Sequence, residues 1–161
     1  MRPATQNDLE SIVRLLDLAF APSQFESRLV RALVKNARLI HHWVLEGEDD
    51  LYAYVCYSRA YRAERPIGFH LAPVAVHPER HRKGLGSTII RESLLQPPIA
   101  ASAAFVVGEP SYYARFGFRS VQQPICPFDP SSTHFMALRY EGLDEFQIGY
   151  EPEFMAGEPI S

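Results

Sequence analysis

Residues 77–87, H-P-E-R-H-R-K-G-L-G-S, combine the residue types that hold a phosphorylated ligand. Arg80, Arg82 and Lys83 bring positive charge, and Gly84 and Gly86 let a ligand come close to the backbone. Residues 71–76 before them are apolar and β-prone, while Leu85, Ile89, Ile90 and Leu94 after them recur near helical spacing. The segment therefore predicts a strand-to-helix turn. At such a helix start the first N–H groups lack intrahelical partners, so a diphosphate there gains charge-assisted hydrogen bonds and the favourable end of the dipole.

Three glycine-rich phosphate sites compete for the segment. A Walker A loop needs Lys directly after its last glycine, where Ser87 stands. A dinucleotide fingerprint needs a small residue three positions past its second glycine, where Ile89 stands, and no acidic residue about twenty further on is placed to bind a ribose. What remains, His81, Arg82, Lys83, Gly84, Leu85 and Gly86, resembles the Arg/Gln-x-x-Gly-x-Gly/Ala signature of acyl-CoA binding in the GNAT superfamily of N-acetyltransferases. His81 departs from that signature at its first position. A histidine donates to phosphate but is shorter than arginine and largely neutral at pH 7. A second motif lies in residues 108–118, G-E-P-S-Y-Y-A-R-F-G-F, where Tyr113, Gly117 and Phe118 match the Tyr-x-x-x-Gly-Phe pattern of the same superfamily. An opening R-P-A-T-x-x-D-L and a late F-M-A-L followed by Y-x-P-x-F extend the resemblance over nearly the whole chain, which is similar to the small bacterial YhbS-like acetyltransferases.

The resemblance implies one domain over residues 1–161 with an α/β (α+β) fold. Its sheet is mixed and mostly antiparallel, with about six to seven strands, about four flanking helices, and splayed fourth and fifth strands. It implies acetyl-CoA as co-substrate. The backbone of Val74, Ala75 and Val76 would hold the pantetheine arm, and His81, Arg82, Lys83, Gly84, Leu85, Gly86 and Ser87 the diphosphate. The implied reaction moves an acetyl group to a primary amine, on a small molecule or a peptide, by direct attack in a ternary complex. A module that keeps the CoA groove as a sensor or scaffold without catalysis is the alternative.

Acyl transfer from a thioester needs a proton for the departing thiolate. Tyr113 is the expected general acid, because a phenol with a pKa of about 10 stays protonated at pH 7, and its spacing to Gly117 and Phe118 fits the motif. Tyr112 is the rival, and neighbouring helical residues point about 100° apart, so one of the two faces the sulfur. His70 is the expected base, with a pKa suited to the task. Glu26 is a second candidate, Glu109 reads as a helix cap, and His41 and His42 alternate on a strand. Phe20, Trp43, Tyr54 and Phe135 are aromatic candidates for an acceptor pocket, most of them expected in the core.

Hydrophobic periodicity predicts the elements that must hold these residues. A short strand over residues 1–4 precedes a helix carrying Leu9, Ile12, Val13 and Leu16, and a second helix runs from Phe25 to Asn36. Residues 38–46 and 51–59 form a hairpin, followed by a fourth strand over 68–76 in which Pro73 predicts a bulge or opened edge. A helix over 84–95, a fifth strand over 103–107, a helix opened by Glu109 and Pro110, and late strands over 134–140 and 146–150 complete the order. The 161 residues, 47% hydrophobic and 22% charged, suit a single core. A net charge of -3 and a short basic cluster argue against nucleic acid, and no apolar run of membrane length is present. Cys56 and Cys126 have no metal spacing, which predicts reduced thiols in a cytoplasmic protein without a metal site; the resemblance implies a monomer or a homodimer and leaves the two open.

Overall fold

The computed structural model describes residues 1–155. Strands β1 (Arg2–Pro3), β2 (Ile40–Glu46), β3 (Leu51–Arg62), β4 (Arg65–Val76), β5 (Ala103–Val107), β6 (Arg119–Ser120) and β7 (Phe135–Leu138) form one sheet. Its order is β1-β2-β3-β4-β5-β7-β6. All neighbours run antiparallel except β4 and β5, which are parallel. Helices α1 (Leu9–Ala19) and α2 (Phe25–Lys35) cover one face, and α3 (Leu85–Ser93) with the short α4 (Pro110–Tyr113) cover the other. This is the mixed α/β sheet that the resemblance implies.

Strand β3 is the centre of the core because both its faces are buried. Ala53, Val55 and Tyr57 pack towards Ile89 and Ile90 of α3, while Tyr54 and Cys56 pack towards Ile12, Leu15 and Leu16 of α1. Those three α1 residues have no exposed surface, which explains why an i, i+3, i+4 pattern is legible in the sequence. The Tyr57 hydroxyl satisfies its buried oxygen on Ser93 Oγ at 2.7 Å.

The irregularity expected at Pro73 is a β-bulge. Tyr57 pairs with Leu71 and Val55 with Val74, so Cys56 alone faces Ala72 and Pro73. One extra residue inverts the side-chain alternation beyond it. Phe69 and Leu71 face α3 before the bulge; after it Val74 and Val76 do, with Ala75 turned to α1. Strand β5 pairs with β4 at three positions only, Gly68, Phe69 and His70 against Ala103, Ala104 and Phe105. Beyond them β5 follows β7 to Val107, and β4 runs on to Val76 without a strand on that side. The two strands part in a V.

Residues 146–150, expected as a final strand, make only isolated bridges from Gln147 to Ile125 and from Gly149 to Tyr61. Both edges of β7 are already taken, by β5 and by β6, so residues 146–150 cannot pair with β7. The expected strand over 134–140 ends at Leu138 because Arg139 turns to a φ of 57°. The loop before β7 is fixed by Asp129, whose carboxylate accepts the N–H groups of His134 and Phe135, each at 2.7 Å, and the Thr133 hydroxyl at 3.0 Å. Burial pushes this carboxyl up, but those donors outweigh it and hold it below the usual carboxylate range. Asp129→Ala leaves two N–H groups without an acceptor and is expected to cost about 2–3 kcal/mol. A lowered urea midpoint at unchanged slope, measured against Asp129→Asn, checks this.

Candidate active site

The turn between β4 and α3 has the geometry of an anion cradle. Gly84 stands at the cap position of α3 with φ 73°, a left-handed conformation that strains any side-chain-bearing residue. The first helical bond runs from Thr88 N to Gly84 O at 2.9 Å, which leaves the N–H groups of Leu85, Gly86 and Ser87 directed out of the helix. A Cβ built on Gly84 would meet nothing within 4 Å, so the space over the turn is open. A cavity of about 390 Å³ lies here, lined by Val74, Ala75 and Val76 of β4, by the turn residues, and by Ala19, Phe20 and Tyr112.

Arg80, His81 and Arg82 line this cavity, whereas Lys83 is exposed outside the lining. The Arg80 guanidinium lies over the Tyr52 ring, 4.4 Å from its centroid. His81 does something the sequence did not suggest: its Nε2 donates to the carbonyl of Val76 at 3.1 Å, tying the turn to the end of β4. His77 accepts Glu79 N at 3.2 Å through Nδ1 and closes the first loop of the turn. These groups fit a diphosphate, with free N–H donors below and guanidinium charge at the side.

A second cavity of about 290 Å³ continues along β4 where the strands part. It is lined by His70, Leu71 and Ala72 of β4, by Phe105, Val106 and Val107 of β5, by Phe25 and Glu26 of α2, and by Phe128, Tyr150 and Phe154. His70 is only 2% exposed. Its Nε2–H donates to the Gly149 carbonyl at 2.9 Å, and its ring stacks on Tyr150 with centroids 3.6 Å apart. Burial lowers its pKa to about 4 against the pull of that carbonyl, so near pH 7 the ring is neutral with a free lone pair on Nδ1.

The two tyrosines of α4 separate. The Tyr112 hydroxyl lies 3.2 Å from Ser87 Oγ and lines the cradle cavity, with the Arg115 guanidinium 4.5 Å from its ring centroid. Tyr113 lines neither cavity. Its ring covers Gly108 at the end of β5, where any Cβ would meet Tyr113 Cε2 at 2.2 Å, and packs edge-on against Phe118. Burial pushes its phenol up to about 12. Glu109 takes the cap position of α4 with Pro110 after it, but the cap is made by its carbonyl, which accepts the N–H groups of Tyr112 and Tyr113, and not by its side chain.

Other candidates fall elsewhere. Trp43, Tyr54 and Phe135 are core residues, and of the four aromatic candidates Phe20 alone lines a cavity. His41 packs edge-on to Phe69, and His42 bonds the Tyr54 hydroxyl at 2.8 Å in a separate cavity beside α1 and α2. Cys56 and Cys126 are free and buried. No group of three or more metal-ligating residues occurs, and no helix is long and apolar enough to cross a membrane, among the described residues. Sequence reasoning missed Phe25, Phe128, Tyr150 and Phe154 as cavity residues, which come from three separate segments. Their one signal is the Y-x-P-x-F run that carries Tyr150 and Phe154; nothing local marks Phe25 or Phe128.

The V-shaped gap beside a helix-start cradle is the arrangement that the sequence resemblance implies. Residues 38–120 match the model of the acetyltransferase (GNAT) domain, just over half of the chain, and the protein belongs to that family. Among solved structures, the GNAT family N-acetyltransferase YhbS from Escherichia coli, in complex with CoA, superposes with a TM-score of 0.86. It is 23% identical, over 96% of this chain and 90% of that one. A GNAT family acetyltransferase from Brucella melitensis in complex with acetyl-CoA is 26% identical, with a TM-score of 0.79 over 95% of this chain and 96% of that one. The aminoglycoside 6'-N-acetyltransferase AAC(6')-IG from Acinetobacter haemolyticus shares the fold at 14% identity and a TM-score of 0.56, over 77% of this chain and 93% of that one. No curated protein matches the sequence.

The two buried histidines set a pH dependence. Burial holds both His42 and His70 at about 4, below the ordinary value of about 6.5. Between these values the unfolded chain binds more protons than the folded one, so their contribution to stability is full above about pH 6.5 and is lost as the pH falls towards 4. The urea midpoint is expected to drop from pH 7 to pH 5, above the range where carboxylates titrate. A shallower drop in the His42→Asn, His70→Asn double variant, followed by circular dichroism, checks the assignment.

Proposed function

We propose that the protein is an acetyl-CoA-dependent N-acetyltransferase that acetylates a primary amine by direct attack in a ternary complex. The observation that carries this reading is the cradle of free N–H groups at Leu85, Gly86 and Ser87, opening directly onto the unpaired edge of β4. The diphosphate of acetyl-CoA would lie on Arg82, Gly84, Leu85, Gly86 and Ser87, with the pantetheine arm along Val74, Ala75 and Val76. Arg80 adds charge from its seat on Tyr52, and His81 braces the turn. The solved complexes of the E. coli and B. melitensis relatives with CoA and acetyl-CoA support a CoA thioester as the donor. Two unpaired buried thiols fit a reducing cytoplasm.

In the proposed reaction the neutral amine forms a bond to the thioester carbonyl carbon, and the carbon–sulfur bond breaks. The amine's proton passes to His70, whose neutral ring has the required lone pair, and the thiolate takes the Tyr113 phenolic proton. Acetamide and free thiol result. Tyr113 is preferred to Tyr112 because the latter's hydroxyl is engaged by Ser87 beside the cradle, whereas Tyr113 lies over Gly108 at the end of β5. A phenol held at about 12 stays fully protonated near pH 7 and so has a proton to give.

Calorimetry with acetyl-CoA is expected to give one site per chain; folded protein that shows no binding at high micromolar acetyl-CoA ends the proposal. Tyr113→Phe is expected to lower kcat about a hundredfold while acetyl-CoA affinity stays nearly unchanged. Tyr112→Phe should instead weaken acetyl-CoA binding with kcat nearly preserved. The reverse pattern would give the acid's role to Tyr112.

A further inference from the structure

We infer that the second cavity selects a monoamine carried on an apolar, aromatic-sized body, and that Glu26 anchors its ammonium form. This rests on the acetyl-transfer reading above and concerns only the acceptor. Five of the lining residues are aromatic side chains, Phe25, Phe105, Phe128, Tyr150 and Phe154. Three of them meet ring to ring: Phe128 stands edge-on to Tyr150 at 4.8 Å between centroids, and Tyr150 lies 5.1 Å from Phe154. They make a continuous wall across from the parted strands. At about 290 Å³ the cavity lies at the small end of ligand pockets, near 300 Å³, so it admits one compact body and not a chain of linked sugars.

The charge count is equally restrictive. Among the described residues Glu26 is the single carboxylate of the lining, and His70 is neutral near pH 7. Glu26 is half-buried in the first turn of α2, and its Oε1 accepts one hydrogen bond, from Ser23 Oγ at 2.9 Å. No cation among the described residues is paired with it. The nearby acids are committed elsewhere: Glu151 accepts from Arg59 and Tyr61, and Glu153 from Arg38 and Asn36. One ammonium therefore finds a counter-ion at the cavity. A second or third positive charge on the same acceptor would be buried against rings without one, which is strongly disfavoured. The lining thus favours monoamines with hydrocarbon or aromatic bodies over polyamines and aminoglycosides, and Glu26 sets the entry of the charged form before it loses its proton.

Thiol release from acetyl-CoA measured with 2-phenylethylamine, isopentylamine, spermidine and kanamycin tests this directly. The monoamines are expected to show kcat/KM roughly tenfold or more above the polycations. Glu26→Gln should raise KM for 2-phenylethylamine roughly tenfold, while inhibition by the uncharged isostere 2-phenylethanol and the affinity for acetyl-CoA stay unchanged. Phe128→Ala should weaken both the amine and the alcohol. Faster turnover of spermidine or kanamycin, or an unchanged KM in Glu26→Gln, overturns the inference and leaves acetyl transfer standing. Release of no thiol with any amine, from protein that binds acetyl-CoA, overturns the transfer reading and this inference with it.

Discussion

The structure depends on one extra residue in β4. Opposite Cys56 the strand carries both Ala72 and Pro73, and from that point β4 changes the face to which its side chains turn and loses β5 as a neighbour. A strand that runs on without a partner leaves backbone N–H and C=O groups in need of hydrogen bonds, and a protein interior does not tolerate such groups for long. The gap is therefore a built-in demand for an extended polar ligand. Beside the gap β5 stays paired through its other edge, with β7 from Ala104 to Val107. Both cavities lie along this unpaired edge, one at the end of β4 and one at the bulge.

The wall opposite the gap has a different origin. Tyr150 and Phe154 belong to no strand and would have little to fix them if hydrophobic contact were their only support. Two buried carboxylates hold the segment instead. Glu151, 1% exposed, accepts the Tyr61 hydroxyl at 3.0 Å and Arg59 Nε at 3.3 Å, and Glu153 accepts Asn36 Nδ2 at 2.7 Å and Arg38 Nε at 3.0 Å. Burial drives the Glu153 carboxyl up, and the Asn36 and Arg38 bonds reverse that and keep it ionised. Pairs of this kind matter through what their loss would leave behind, an uncompensated buried charge. Surface pairs such as Arg62–Asp144, both well exposed, carry much less. The charged residues near the C-terminus thus act on the site at a distance, by fixing where the rings stand.

These differences explain what was legible in the sequence. Helices α1, α2 and α3 and strands β2 to β5 follow from local periodicity, since each buries a stripe or alternating face that a single window records. The cradle was legible too, because its chemistry sits in one run of residues. Residues 146–150 have the composition of a strand but find both edges of β7 already paired, a fact that belongs to the sheet and not to the segment. The aromatic wall was invisible for the same reason: Phe25, Phe128, Tyr150 and Phe154 become neighbours only once Asp129, Glu151 and Glu153 have fixed three separate segments. Phe135 and Tyr54 look like equally good wall residues by type, and the fold puts both in the core.

His81 shows how such a site tolerates a departure from the usual arginine. An arginine at the start of the turn contributes charge and donors to a phosphate, but it does not fix the turn. The imidazole here has a positioning role: it bonds the carbonyl of Val76 and so joins the last residue of β4 to the loop that leads into α3. Rigidity is itself worth affinity, because donors already in position do not have to be ordered when the ligand arrives. Permanent positive charge is present on both sides of His81, in Arg80 stacked on Tyr52 and in Arg82 at a φ of 66° in the cavity lining. Charge and positioning, which one arginine would combine, are divided here among three adjacent residues, and the cradle keeps the donors of the helix start as its constant part.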